Sequence, residues 1–153
     1  MATLFTKIMN REIPGIFVYE DDLCCAFMSI APLMPGHTLI VPRAEYDHWI
    51  DMPYELTTHV MQVAQLIGKA QMKAFPVKKI AVLIAGMEVP HTHVHAIPIN
   101  HESEIFRHPE NEEPAKLAAA AEAIKKAFAE IDKTGLTRQA ELTFQNFNPS
   151  NNN

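Results

Sequence analysis

Three histidines that alternate with other residues inside the stretch Pro90–Ile99 constrain this chain more than any other feature of its sequence. They are His91, His93 and His95, and the stretch continues into apolar residues. In an extended strand successive side chains point to opposite faces, so these three would project from one face, about 6.5–7 Å apart. Histidine is not a strong strand former, which argues against a merely polar strand face turned to solvent. The pattern predicts a histidine-lined site on one face of a sheet.

Two kinds of site remain open for such a pattern, a three-histidine metal centre and a histidine nucleophile with histidine neighbours. On a straight strand the first and third residues stand about 13 Å apart. Zinc at about 2.1 Å from each nitrogen holds its ligands within about 3–4 Å of one another, so three alternating histidines need a bend to share one ion. The spacing therefore favours a nucleophile whose neighbours donate hydrogen bonds to the oxygens of a phosphorus or acyl centre.

Charge and cysteine content narrow the class of partner and the compartment. The formal net charge is −5 with basic residues dispersed along the chain, which argues against nucleic acid, since phosphates require a basic patch. Cys24 and Cys25 are adjacent and offer no disulfide framework, as is typical of a reducing compartment. We find neither a signal peptide nor an apolar run of transmembrane length. These features predict a cytoplasmic protein that binds neither nucleic acid nor membrane.

Periodicity and turn residues predict the elements that precede the histidines. A short helix capped by Thr3 comes first, followed by a hairpin over 16–30 and a strand over 37–42. Asp51 is predicted to cap a long helix with one apolar face, which leaves His59 on the solvated side.

The second half of the chain completes one domain. The apolar strand 79–85 is expected at the centre of its sheet. A polar loop follows the histidine strand, and an alanine-rich helix is then predicted over 114–134, with Gly135 as its C-cap. Residues 136–153 read as a polar arm or a disordered tail. Residues 1–135 are thus predicted to form a single α+β domain, in which short hairpin-type links favour an antiparallel sheet.

Several segments together resemble the histidine triad (HIT) family, a superfamily of nucleotidyl hydrolases and transferases whose motif is His-x-His-x-His followed by two apolar residues. The segments are Phe5-Thr6-Lys7-Ile8, Glu12-Ile13-Pro14, Glu20-Asp21-Asp22, Ala26-Phe27, Pro35-Gly36-His37-Thr38-Leu39-Ile40-Val41-Pro42, Ala85-Gly86 and His91-Thr92-His93-Val94-His95-Ala96-Ile97. The resemblance covers residues 3–99. It implies an α+β fold in which a five-stranded antiparallel sheet carries a long central helix and a C-terminal helix.

The resemblance also implies a role for each histidine. His93 would attack the α-phosphorus of a nucleotide and form a covalent nucleotidyl-histidine, and His95 would donate to a non-bridging phosphate oxygen. His37 and His91 would orient the site through hydrogen bonds. Imidazole attacks in its neutral form, and an ordinary pKa of about 6.5 leaves most of it neutral at cytoplasmic pH. Water would then release the nucleoside monophosphate.

A nucleotide pocket is implied in the same way. Its apolar base-binding residues would be Leu4, Phe5, Ile8, Phe27 and Ile30, for which packing in the core is the alternative interpretation. Near the ribose and phosphate the resemblance puts Ser29, Gly86, Glu88 and Val89. The implied partners are a nucleotide with a purine nucleoside monophosphate moiety and a second copy of the chain in a homodimer. The chemistry requires no metal and no other cofactor.

Two positions near the N-terminus depart from the family's pattern. Many bacterial members carry a Cys-x-x-Cys there that helps to bind structural zinc, and this chain has Thr3 and Thr6. His48 and His91 could have supplied the remaining ligands. Because hydroxyls do not replace thiolates, we expect the structural zinc to be lost.

Three further departures concern the substrate. Ser29 stands where the family usually has an Asp or Asn that contacts ribose, and Met87 and Glu88 stand where a Gln and a Ser or Thr are frequent. A carboxylate at position 88 would repel a leaving phosphate unless it is protonated, turned away or matched to an amine leaving group. The favoured function is a nucleotide phosphoramidate hydrolase or nucleotidyl transferase. Dinucleoside polyphosphate hydrolysis stays open, as does a nucleotide-binding or interaction module with weak catalysis.

Overall fold

The chain forms one five-stranded antiparallel sheet in the computed structural model, which describes residues 1–133. The strands are β1 (Phe17–Glu20), β2 (Cys24–Met28), β3 (Thr38–Pro42), β4 (Lys79–Leu83) and β5 (Val94–Ile99). They lie in the order β1-β2-β3-β5-β4, and all neighbours pair antiparallel. The predicted α+β class and antiparallel sheet are confirmed.

Helices cover both faces of this sheet within the described part of the chain. They are α1 (Leu4–Met9), α2 (Tyr54–Ala74) and α3 (Pro114–Glu130), with 3₁₀ segments at Trp49–Asp51 and Glu102–Phe106. Thr3 caps α1 as predicted, because its Oγ1 accepts a hydrogen bond of 3.2 Å from the N–H of Thr6. Among residues 1–133, no helix combines the length and the apolar character needed to cross a membrane.

The two faces of the sheet belong to different apolar layers, as the alternation of side chains along a strand requires. The face under α2 and α3 carries the larger core, to which β2 contributes Cys24, β5 contributes Val94, and α2 contributes Ile67. The other face carries a smaller cluster beneath α1. Its buried members are Phe5, Met9, Cys25, Phe27, Leu39 and Val41. The adjacent cysteines therefore lie in separate layers.

The start of α2 differs from the expectation. Asp51 does not cap the helix but ends a 3₁₀ segment, and the helix begins at Tyr54, after Pro53. The physical reason is the proline, because the residue before it is driven out of helical backbone; Met52 has φ −69° and ψ 144°.

The C-terminal part also differs in its boundaries. The loop after β5 contains the 3₁₀ segment Glu102–Phe106, which the polar sequence did not indicate. α3 ends at Glu130 rather than at residue 134. The predicted C-cap Gly135 and the predicted tail 136–153 lie outside the described residues.

The expectation that β4 lies at the centre of the sheet is wrong. β5 inserts between β3 and β4, so that β4 ends the sheet. Val82 and Leu83 are accordingly 48% and 42% exposed. An apolar run alone does not separate a central strand from an edge strand whose outer side is apolar.

His59 is likewise not on the solvated side of α2, where its sequence neighbours suggested it would be. Its side chain is 2% exposed, and its Nε2 lies 2.7 Å from Oδ2 of Asp21. The same carboxylate accepts hydrogen bonds from the hydroxyl of Tyr19 and from the N–H of Leu23. A buried polar side chain requires such a partner, and this one comes from a distant turn that local periodicity does not report.

Candidate active site

His93, His95 and His37 lie together on the sheet face opposite α2 and α3. His95 is in β5 and pairs with Leu39 of β3, a member of the smaller apolar cluster. His37 immediately precedes β3, so the pairing of β3 with β5 brings its ring to 5.1 Å from that of His95, centroid to centroid. The rings of His93 and His95 are 4.9 Å apart. Three of the four predicted histidine side chains thus converge.

The protonation of His37 and His95 follows from one backbone N–H. The N–H of Leu33 donates to Nδ1 of His37 at 3.1 Å, so a neutral His37 carries its proton on Nε2. That Nε2–H donates to Nδ1 of His95 at 2.9 Å, which leaves the proton of His95 on its Nε2. Burial lowers the pKa of His37 to about 3 and the pKa of His95 to about 4, so both rings are neutral at pH 7. His95 therefore presents a hydrogen-bond donor to the site.

His93 has the opposite tautomer. Its Nδ1 lies 2.7 Å from the carbonyl oxygen of His91, and only an N–H can occupy such a contact. The lone pair of a neutral ring is then on Nε2. Burial lowers the pKa of His93, although the hydrogen bond to His91 and the negative charge of Glu88 act in the opposite direction. A neutral nucleophilic nitrogen at His93 lies beside an N–H donor at His95.

His91 does not project with the other two histidines from a straight strand, and this part of the expectation is wrong. β5 begins at Val94, after a bend that contains Pro90 and His91. The His91 ring is fully buried, with Nε2 at 2.7 Å from the carbonyl oxygen of Pro42 and Nδ1 at 2.6 Å from Oγ1 of Thr3. Its backbone carbonyl, rather than its side chain, contacts His93.

The predicted base-pocket residues divide into buried and exposed groups. The Phe5 ring packs edge-on against the His93 ring, with 4.8 Å between the ring centroids. It also packs at a tilt against Phe27, with 5.6 Å between centroids, and both phenylalanines are buried. Ile8 is half-buried beside them, whereas Leu4 and Ile30 are 46% and 67% exposed. The two phenylalanines form an apolar wall next to His93, and the exposed pair lies free of the core.

The residues predicted near the phosphate and ribose lie on loops beside this wall. Gly86 has φ +75°, a left-handed conformation that favours glycine. Glu88 is exposed, and Val89 packs against the cluster that contains Phe5. Ser29, just after β2, is half-buried, and its N–H donates to the carbonyl oxygen of His37 at 3.1 Å. The segment that precedes His91 therefore contains a glycine, Gly86, and an exposed carboxylate, Glu88.

Thr3, Thr6 and His91 do come together, but as a hydrogen-bonded group. Oγ1 of Thr3 is 2.6 Å from Nδ1 of His91, and Oγ1 of Thr6 donates to Oε1 of Glu45 at 2.6 Å. Hydroxyls are poor zinc ligands, so these residues do not fit the structural zinc site that the sequence resemblance raised. Sequence reasoning missed Glu45, because no motif or spacing marks it and its contacts are with residues about 40 positions away.

Among the described residues, one other group offers close ligand atoms for a metal: Asp21, Cys24 and His59. All three are buried, and Cys24 belongs to the core under α2 and α3. Oδ2 of Asp21 already accepts hydrogen bonds from the hydroxyl of Tyr19 and from His59, at 2.6 and 2.7 Å. Hydrogen bonds to the Asp21 carboxylate therefore account for the close approach of His59 in this group.

Comparison with known proteins gives one consistent result. The model of the HIT domain matches residues 10–102. An uncharacterized HIT-like protein of Borreliella burgdorferi is 37% identical over 108 residues, which cover 62% of this chain and 73% of that protein. The adenosine 5'-monophosphoramidase HNT1 of Saccharomyces cerevisiae is 36% identical over 98 residues, covering 63% of this chain and 62% of that protein. The crystal structure of a Hit-like protein from Bartonella henselae has a TM-score of 0.73 and 33% identity, and the match covers 82% of this chain and 95% of that one.

Proposed function

This chain belongs to the histidine triad (HIT) family, and on that premise we propose that it is a nucleotide phosphoramidate hydrolase or nucleotidyl transferase acting through His93. The observation that carries the proposal is that two adjacent neutral imidazoles, those of His93 and His95, have opposite tautomers. Nδ1–H of His93 is held by the carbonyl of His91, and Nε2–H of His95 is fixed through His37. A lone pair and a donor therefore face a substrate side by side, as attack on phosphorus and stabilisation of its oxygens require.

The reaction would proceed in two displacements at the α-phosphorus. Nε2 of His93 forms a bond to phosphorus while the bond from phosphorus to the leaving nitrogen breaks, and the amine departs with that electron pair and takes a proton from solvent. The nucleotidylated ring is then cationic, and its Nδ1–H points at the carbonyl of His91, which stabilises the charge. Nε2–H of His95 donates to a non-bridging oxygen. Water next attacks phosphorus, the bond to Nε2 breaks, a proton goes to solvent, and the nucleoside monophosphate is released.

The nucleotide would bind along the apolar wall next to His93. Phe5 and Phe27 are the buried base of this wall, and the more exposed Leu4, Ile8 and Ile30 would supply the apolar surface that contacts a purine base. Ser29 would contact the ribose, and the backbone near Gly86 and Val89 would approach the phosphate. The yeast monophosphoramidase, whose name specifies adenosine, supports a purine substrate.

Glu88 favours an amine as the leaving group. It is exposed, and its charge is felt by His93. A carboxylate there would repel the polyphosphate chain of a dinucleotide but would attract a cationic amine. Phosphoramidate cleavage is therefore the first choice, and dinucleoside polyphosphate hydrolysis is the nearest variant. The departures from the family's pattern at Ser29, Met87 and Glu88 also motivate the second candidate, a nucleotide-binding or interaction module with weak catalysis.

The test is turnover of adenosine 5'-phosphoramidate together with trapping of the intermediate. We expect release of AMP and, in a rapid quench at alkaline pH, a mass increase of one adenylyl group on His93. His93→Ala should abolish both, whereas His108→Ala, a change of an exposed histidine outside the site, should change neither. Turnover that survives His93→Ala would overturn the proposal. Tight AMP binding in calorimetry without turnover of any phosphoramidate or dinucleotide would instead support the binding module.

Three properties of the whole chain complete the proposal. We propose that residues 1–133 belong to a single domain, that the protein is a homodimer, and that it acts in the cytoplasm on nucleotides rather than on nucleic acid or membranes. Two buried free thiols, Cys24 and Cys25, support a reducing compartment. The net charge of −5 supports the absence of a nucleic-acid partner.

A further inference from the structure

The end of β3 and the residues after it position His91 and Thr92, which lie outside strand β5. His91 and Thr92 precede β5, so the ladder of the sheet does not position them. Instead, the carbonyl of Pro42 accepts from Nε2–H of His91 at 2.7 Å, and the carbonyl of Tyr46 accepts from both N–H and Oγ1–H of Thr92, at 2.6 and 2.8 Å. The His91 ring and the N–H that follows the His91 carbonyl are thus both bonded to residues 42–46.

Glu45, within the same segment, joins this arrangement to α1. Its Oε1 accepts from the N–H of Thr3 at 2.8 Å and from Oγ1–H of Thr6 at 2.6 Å. Both hydrogen bonds lower the pKa of Glu45, and the one from the Thr6 hydroxyl has the larger effect. The side chain is therefore ionised at neutral pH. A surface carboxylate therefore fixes the first turn of α1 against the segment that holds His91.

Thr3 carries the connection from Glu45 to the His91 ring. Because Nε2 of His91 must keep its proton to donate to Pro42, and burial lowers the pKa of His91, Nδ1 has a lone pair. Oγ1–H of Thr3 donates to that lone pair at 2.6 Å, while its oxygen accepts the N–H of Thr6 as the helix cap. Without this hydroxyl the buried Nδ1 of His91 would lose the hydrogen-bond partner that residues 1–133 give it.

We propose that Thr3 and Glu45 are positioning residues for the nucleophile, which hold the carbonyl of His91 where it fixes Nδ1–H of His93. The connection runs from the carboxylate of Glu45 to Thr3, then to the His91 ring, and through the His91 carbonyl to His93. α1 adds a second path, since it also carries Phe5 against the His93 ring. The expected effect on kcat rests on the proposed function, whereas the expected effect on the imidazole hydrogen bonds does not.

The test compares four variants. Thr3→Val removes the hydroxyl with little change of shape, and Thr3→Ser restores it. Glu45→Ala keeps the cap and the hydroxyl of Thr3 and removes only the anchor. Thr58→Val makes the same isosteric change at an exposed hydroxyl of α2 that bonds only to its own helix. We expect kcat to fall about tenfold or more in Thr3→Val, because small displacements of a nucleophile are costly, with KM changed by less than about twofold. Glu45→Ala should also lower kcat. Thr3→Ser and Thr58→Val should leave kcat near the level of the unmutated protein.

Nitrogen-15 NMR of the imidazoles supplies a readout that does not depend on turnover. In the unmutated protein we expect the proton of His91 on Nε2 and that of His93 on Nδ1. In Thr3→Val the His91 signals should shift and the Nδ1–H signal of His93 should broaden, in a protein whose melting temperature shows that it is folded. If these signals and kcat both stay unchanged in Thr3→Val and Glu45→Ala, the proposal is wrong. Absence of turnover in the unmutated protein, with the NMR changes as expected, would contradict the proposed function alone.

Discussion

Each imidazole of the candidate site has one ring nitrogen held by a neighbour, and that contact decides what the other nitrogen can do. The N–H of Leu33 makes His37 a donor to His95, and the carbonyl of His91 makes His93 a donor through Nδ1. Both orienting groups are backbone atoms, whose identity does not depend on the side chain. The reactivity of the histidines is thus set by the fold around them as much as by their own chemistry.

The pH dependence of the proposed reaction would follow from the protonation of His93. Protonation at Nε2 removes the lone pair, so activity is lost as the pH falls through the pKa of this residue. Because burial, the largest cause, lowers that pKa from 6.5, kcat/KM for adenosine 5'-phosphoramidate should fall to half of its maximum at a pH below 6.5. Glu88→Gln should move the fall to still lower pH, since the charge of Glu88 raises the pKa of His93. A half-maximal rate above pH 6.5 would contradict this assignment.

The elements that could be predicted from sequence are those determined by local signals. The Thr3 cap, the hairpin around the Asp21-Asp22 turn and the apolar faces of α2 and α3 follow from spacing and turn residues, and the structure has them. The bend at His91 and the edge position of β4 could not be predicted this way. Both depend on partners far along the chain, since His91 is held by Thr3 and Pro42, and β4 is at the edge because β5 inserts beside it.

The pair of His59 and Asp21 should contribute strongly to the attachment of α2 to the hairpin. His59→Ala removes one partner of a buried, charge-assisted hydrogen bond and leaves the carboxylate of Asp21 with one donor fewer. We expect a loss of about 3 kcal/mol in the free energy of unfolding, measured by urea denaturation. Thr58→Val, the neighbouring exposed position, is the matched control and should change the value by less than about 0.5 kcal/mol. A similar small change in His59→Ala would show that the pair is energetically neutral.

At the scale of the molecule, the two edges of the sheet differ. β1 is short, has a β-bulge near its start, and bears the ion pair of Glu20 with Arg11, all of which hinder pairing with another chain. β4 is regular and exposes two apolar side chains: Val82 lies near Met61 and Met72 of α2, and Leu83, which pairs with His95, lies on the opposite face of the sheet. An edge of this kind is suited to antiparallel pairing with its own copy about a two-fold axis.

This edge gives a prediction for the proposed homodimer. Val82→Lys and Leu83→Lys should each convert a dimer into a monomer in light scattering coupled to size-exclusion chromatography, because a buried lysine at the shared edge would lack a partner. Lys116→Ala on α3, an exposed change away from that edge, should leave the dimer intact. A monomeric unmutated protein at micromolar concentration, or dimers that persist in both lysine variants, would contradict pairing through β4.

Cys24 and Cys25 provide adjacent reporters for the two layers of the molecule. Both thiols are buried, and burial raises the pKa of each, that of Cys25 to about 12, so labelling requires an opening of the surrounding structure. Cys24 reacts only when the layer under α2 and α3 opens, and Cys25 only when the layer under α1 opens. Bound AMP should slow alkylation of Cys25 more than that of Cys24, as followed by mass spectrometry of single-cysteine variants. Equal protection of both thiols would mean that the layers open together, and unequal protection would separate the motion of the proposed nucleotide-binding face from the unfolding of the rest.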